Sequence, residues 1–220
     1  HQNTLETNIQ EIQNKDRVDI ILANPPFGGK EKVNIQENFS IKTSETAYLF
    51  LQHFIKKLKV GGRCGVVIKN TFLSNTDNAS IALRKQLLEE CNLFTILDLP
   101  AGVFLGTGVK TVVLFFEKGK PTKKIWYYQL NVGRNMGKTN SLNENDLKDF
   151  INLAETQKIS DNSWSIDIDK INTESLELSV QNPNITKEVD IRTPEQIISE
   201  IEEMDSKSLE VIKKIKELIK

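Results

Sequence analysis

The sequence predicts an α/β fold: a mainly parallel sheet closed by an antiparallel edge hairpin, followed by a helical C-terminal tail. Three observations lead there. Short apolar runs alternate with segments of helical spacing from residue 18 to residue 99. The runs at 94–99 and 111–116 are joined by a link carrying Pro100, Gly102, Gly106 and Gly108. That link is too short and too broken for a crossover helix, so the pair should be antiparallel. Beyond residue 130 the pattern gives way to polar loop, and the chain closes on one long amphipathic segment.

Taken in order, residues 18–23 (VDIILA) form a nearly continuous apolar run, as in a parallel strand covered on both faces. The polar stretch 28–42 is long enough for an active-site loop. Ser44 is a fair N-cap for a helix to about Leu58, with Ala47, Leu51, Phe54, Ile55 and Leu58 at helical spacing and Gly61-Gly62 as its C-cap. A strand at 64–68, a helix at about 79–90 and the strands at 94–99 and 111–116 follow, and 125–130 adds one more strand. Residues 143–153 read as a short helix, "SWSIDIDKI" as a short strand and 194–220 as a long helix. The expected organisation is a catalytic domain over 1–153, a connecting segment over 154–193 and a C-terminal amphipathic helix over 194–220.

Composition narrows the class. Hydrophobic residues at 38% and charged residues at 27% describe an ordinary globular chain, and no apolar run approaches the roughly 20 residues of a membrane span. A cytoplasmic protein with no membrane association is expected. Cys64 and Cys91 are not in a CxxC pair, which favours buried free thiols over a disulfide or a metal site. His1 and His53 leave little for histidine-based catalysis or zinc. Charge is uneven: residues 1–140 hold 19 Lys and Arg against 12 Asp and Glu, while residues 141–220 hold 10 against 18. A basic first part is compatible with a polyanionic substrate and equally with solvated surface charge.

The chemistry concentrates in Asn24-Pro25-Pro26-Phe27, directly after the first apolar run. Ligands of open α/β sheets bind outside the carboxyl ends of strands. Two prolines fix φ and lack N–H groups, so the turn is stiff. It can present two acceptors, the Asn24 side-chain oxygen and the Pro25 carbonyl, with the Phe27 face beside them. An exocyclic amino group on a planar ring fits: both N–H bonds accepted, the ring stacked. Such acceptors would favour a tetrahedral nitrogen and localise the lone pair of adenine N6 for attack on an electrophilic methyl group, with no strong base. The plainer alternative is a strand-ending Asn-Pro turn with Phe27 in the core.

"NPPF" after an apolar strand is similar to the signature of S-adenosylmethionine-dependent amino-methyltransferases. "SETAYLFLQHFIKKLKVGGRCGVVI", "LRKQLLEECNLFTILDLPAGVFLGTGVKTVVLFFEKGKPTKKIWYY" and "KTNSLNENDLKDF" resemble the modification (M) subunits of type I restriction–modification systems. The resemblance covers roughly residues 3–153. It implies site-specific N6-adenine methylation of DNA with S-adenosylmethionine, the target base flipped out of the duplex. It implies the C-terminal part of a Rossmann-like methyltransferase sheet, with Asn24, Pro25, Pro26 and Phe27 as the catalytic turn. Asn3 and Asn24 would lie near the cofactor, and Phe27, Phe104, Thr107 and Lys110 near the flipped base; for Phe104 a core place in a hairpin connection is as good a reading. The implied partners are DNA, a specificity (S) subunit, a restriction (R) subunit and a second M subunit. Two other readings are a protein glutamine methyltransferase, which usually carries Tyr where Phe27 stands, and a non-catalytic interaction module.

Two departures accompany the match. No glycine-rich turn opens a helix after a strand: Gly61-Gly62 precedes a strand, and Gly106-Thr107-Gly108 lies in a strand–strand link. The chain is therefore expected to be part of a longer polypeptide, holding the target-base half of the site and inactive alone. Lys69-Asn70 departs from the more usual Pro after that strand in the family. In the tail, Ile197, Ile201, Met204, Ser208, Val211, Ile215 and Leu218 alternate at spacings of four and three, a coiled-coil seam with one polar position. Packing onto its own domain is the plain reading; the family implies association with the S subunit.

Overall fold

The computed structural model describes residues 3–104, 108–184 and 193–218. They fall into two units, His1–Ile185 and Thr186–Lys220.

The first unit holds β1 (Val18–Ala23), α1 (Val33–Gln36), α2 (Thr46–Lys57), β2 (Leu58–Lys69), α3 (Asn78–Glu90), β3 (Cys91–Asp98), β4 (Thr111–Lys118), β5 (Lys124–Gln129), α4 (Glu144–Ala154) and β6 (Ser163–Asp167). The strands form one six-stranded sheet in the order β1-β2-β4-β3-β5-β6. β1 is parallel to β2, and β3 to β5. β4 runs antiparallel between β2 and β3, and β6 is antiparallel to β5.

Alternation along the strands divides the core. Val112, Leu114 and Phe116 of β4, with Ile125 and Tyr127 of β5, join Tyr48, Phe54 and Leu87 of α2 and α3 in the largest cluster. Trp126 and Tyr128 face the other way, against Leu147, Phe150 and Leu153 of α4. A third cluster, Leu5, Ile9, Ile12, Ile35, Phe39 and Leu49, packs the N-terminal turns and α1 against α2. Arg84 of α3 is fully buried and donates to the carbonyls of Phe72 (2.7 Å), Asn75 (2.7 Å), Ser175 (2.8 Å) and Leu176 (2.9 Å). One guanidinium thereby ties the loop after β2 to the segment after β6. Cys64 and Cys91 are free and buried, and burial pushes both thiols up to about 12.

Several expectations need correction. The antiparallel hairpin is not at the sheet edge: β4 inserts between β2 and β3, with Val112, Leu114 and Phe116 buried on one face and Val113 and Phe115 partly buried on the other. β1 is an edge strand in this chain and is not covered on both faces; Ile21 and Ala23 meet the core, whereas Ile20 is 69% and Leu22 81% exposed. Gly61-Gly62 does not cap α2. The chain turns directly into β2 at Leu58, an extended residue, and the glycines lie within that strand. The N-cap position of α2 is held by Glu45, not Ser44. The polar loop after β1 contains α1 and an isolated bridge between Lys30 and Glu45.

The second unit, described by itself, is the helix α5 (Pro194–Leu218). It begins with Thr193 Oγ1 accepting from the Gln196 N–H (3.3 Å) and the Gln196 side chain accepting from the Thr193 N–H (2.8 Å), which satisfies two groups of the first turn.

Candidate active site

The carboxyl ends of β1, β2 and β3 and the start of β4 lie along one edge of the sheet, because β4 is antiparallel to its neighbours. Asn24-Pro25-Pro26-Phe27 leaves β1 at this edge. Pro25 is buried and wedges the turn against the body, while Asn24 and Pro26 are exposed. The Asn24 amide has no hydrogen-bond partner among the described residues, so its oxygen is free to accept. Phe27 is half-buried. Its ring meets that of Phe104 edge-on, with centroids 5.3 Å apart and planes at 66°.

Two glycines make the exit from the turn. Gly28 has φ +80°, a left-handed conformation that side chains rarely adopt. A Cβ on Gly29 would stand 2.6 Å from Thr46 Oγ1, so the loop approaches the start of α2 more closely than any other residue allows. Backbone bonds hold it there: Thr46 N–H to the Gly29 carbonyl (3.0 Å) and Glu31 N–H to the Ser44 carbonyl (2.8 Å). Lys69, the last residue of β2, reaches the same place. Its Nζ donates to Glu45 Oε1 at 2.9 Å and lies 3.8 Å from where a Gly28 Cβ would be. The sequence marked Lys69-Asn70 only as a departure from the family's usual Pro and left its role open; a cation closing an otherwise apolar strand was the further signal.

The other candidates are distributed. Lys110 sits at the same sheet edge, but its Nζ pairs with Asp98 Oδ2 at 2.8 Å. Burial raises the Asp98 carboxyl above its ordinary range against the opposing effect of Lys110. Thr107 lies outside the described residues. The Asn3 side chain is used locally, accepting from Leu5 N–H at 3.1 Å as the cap of a short 3₁₀ turn. Trp126, Tyr127 and Tyr128 are all buried in β5, where they pack the strand and offer no face to a base. Among the described residues no group of three His, Cys, Asp or Glu could hold a metal ion, and no helix is long and apolar enough to cross a membrane.

The edge of the sheet thus carries a turn with an exposed amide and two aromatic rings in contact. The profile of the N-6 DNA Methylase family matches residues 1–191. The type I restriction enzyme EcoEI methylase subunit of Escherichia coli is 37% identical over 200 residues, 83% of this chain and 39% of that protein. A solved chain of the type I R-M system, from work on its complex assembly and conformational transition, superposes with a TM-score of 0.77 at 33% identity, covering 99% of this chain and 48% of that one. The M protein of the type I restriction enzyme EcoKI gives a TM-score of 0.61 at 33% identity, over 69% of this chain and 33% of its own. The chain thus spans less than half the length of the relatives it matches. With the family profile covering most of its length and the sheet shared with solved M subunits, the chain belongs to the N-6 DNA methylase family.

Proposed function

We propose that this chain supplies the target-base side of a DNA adenine N6-methyltransferase, the M subunit of a type I restriction–modification system. The observation that carries the reading is the Asn24–Phe27 turn: stiff, at the carboxyl edge of the sheet, with an exposed and unpartnered amide. In the reaction, Asn24 Oδ1 and the Pro25 carbonyl accept the two N6 hydrogens of an extruded adenine. Phe27 stacks on the base, with Phe104 bracing the Phe27 ring edge-on. Fixed acceptors aimed at the amino group favour pyramidal nitrogen, which concentrates the lone pair without proton abstraction beforehand. The proton leaves after methyl transfer, when the nitrogen is cationic and strongly acidic.

The methyl donor would be S-adenosylmethionine. Among the described residues Gly29 is committed to packing against α2 and Gly28 stands beside Lys69, and no other glycine-rich turn opens a helix after a strand. The residues present do not make a cradle for that donor. Of the two positions that the resemblance turns toward it, Asn24 is exposed on the turn and Asn3 spends its side-chain oxygen on Leu5 N–H. DNA, an S subunit met by α5, an R subunit and a second M subunit would complete the assembly.

The test is methylation of DNA by the full-length protein with its S subunit, using tritiated donor. Asn24→Ala should abolish incorporation while leaving the complex assembled. Full incorporation by that variant would remove the turn from the chemistry.

A further inference from the structure

Lys69 stands where three parts of the site meet, and neither the fold nor the proposed chemistry has used it. The parallel register sets Ala23 level with Val66, so Lys69, three residues on, is level with the prolines of the turn. Its ammonium stands 3.8 Å from where a Cβ on Gly28, immediately after Phe27, would be, and holds Glu45 Oε1 at 2.9 Å, with both side chains about three-quarters shielded (23% and 27% exposed). Glu45 is the N-cap residue of α2, and its backbone forms an isolated antiparallel β-bridge with that of Lys30 across the exit loop. A carboxylate there is also favoured by the helix dipole. The strand end that carries Lys69 is fixed in turn: Asn70 N–H donates to the Lys110 carbonyl at 2.9 Å, and Lys110 pairs with Asp98.

We propose that the Lys69–Glu45 ion pair is a positioning device for the Asn24–Phe27 turn, setting the height of its exit so that the Asn24 acceptor and the Phe27 face meet the target base together. This deepens the methyltransferase reading and rests on it. Backbone bonds to the start of α2 hold the Gly29–Glu31 side of the exit, whereas Gly28, at positive φ, has Lys69 Nζ as the nearest group to where a side chain would be, so the ion pair is what bounds the exit next to Phe27. A shielded ion pair holds a defined separation better than an exposed one, because water competes less for both charges. Lys69 is then a positioning residue that touches neither base nor donor.

The experiment uses the full-length protein in its complex. Single-turnover methyl transfer is measured at saturating DNA and donor for Lys69→Met, Glu45→Gln and the double variant. Extrusion of a 2-aminopurine placed at the target position, DNA affinity against salt, and the melting temperature are followed in parallel. The pair predicts that each single variant slows transfer roughly tenfold and that the double variant is no slower than either, since both remove one interaction. Lys69→Arg, which keeps the cation, should recover most of the rate. Glu45→Gln changes charge without changing shape and keeps the test open if Lys69→Met fails to fold. Full-rate transfer by both single variants, with Asn24→Ala inactive, would overturn the inference and leave the turn chemistry standing. So would loss of DNA affinity with a shallower salt dependence in Lys69→Met alone, the signature of a phosphate contact. Full activity of Asn24→Ala would instead remove the methyltransferase reading of the turn, and this inference with it.

Discussion

Phe27 and His53 show how placement decides what a side chain can contribute. The Phe27 ring is partly exposed and meets Phe104 edge-on, so a base could stack without first displacing a core residue. Phe27→Ala should weaken the 2-aminopurine signal and target-base affinity by about 1–3 kcal/mol, as base–aromatic stacking does, with donor affinity almost unchanged. An equal loss of both would argue against stacking. His53 sits on α2, 7% exposed, with no partner for Nδ1 among the described residues. Burial lowers its pKa and nearby Lys57 lowers it further. The unfolded chain therefore binds a proton that the folded chain refuses. Stability is whole above the ordinary value of 6.5 and declines as pH falls through it toward the folded pKa. Urea titrations at pH 7.5 and 5.5 should show that decline, and His53→Leu should remove most of it.

At the scale of elements, α3 and α5 earn their places differently. α3 is capped by Asp77, which accepts from Ser80 N–H at 2.9 Å, and it buries Leu83, Arg84 and Leu87 on one face. Arg84→Met keeps the volume but leaves four carbonyls without their donor, a loss on the order of 3 kcal/mol or more. A lower urea midpoint with an unchanged slope would record it. α5 is 25 residues long, about 38 Å at 1.5 Å per residue, and its seam repeats every seven residues. Its first half is acidic (Glu195, Glu200, Glu202, Glu203) and its second basic (Lys213, Lys214, Lys216), which agrees with the helix dipole and favours antiparallel pairing. Deleting residues 194–220 from the full-length protein should abolish association with the S subunit while donor binding survives. Retention of the complex after that deletion would assign the helix to its own domain.

For the whole molecule, the decisive feature is the uncovered end of the sheet. α4 covers one face at β3 and β5, yet at β1 the same face exposes Ile20 and Leu22, and the outer edge of β1 pairs with no strand among the described residues. An apolar parallel edge of this kind templates association. Residues 1–220 in isolation should self-associate by sedimentation velocity, and Ile20→Lys with Leu22→Lys should return them toward monomer. The same isolated chain should give no heat with S-adenosylmethionine in calorimetry, since its described residues form no cradle for it. A micromolar affinity would contradict this.

The sequence by itself determined the kind of each major element and the place of the turn. Both rest on local physics: the period of apolar residues in 18–23, 79–90 and 111–116, and the fixed φ of Pro25 and Pro26. It also carried the family, because NPPF and the long matching segments lie within continuous stretches of chain. Tertiary structure alone decided the strand order, with β4 between β2 and β3, since apolar runs on 64–68, 94–99 and 111–116 look alike whichever lies in the middle. It made β1 an edge, because burial belongs to neighbours and not to the residues themselves. It also joined Lys69 to Glu45, Phe27 to Phe104 and Arg84 to the carbonyls of Ser175 and Leu176. These contacts span roughly 24 to 92 residues, and a side chain carries no local mark of a partner so far along the chain.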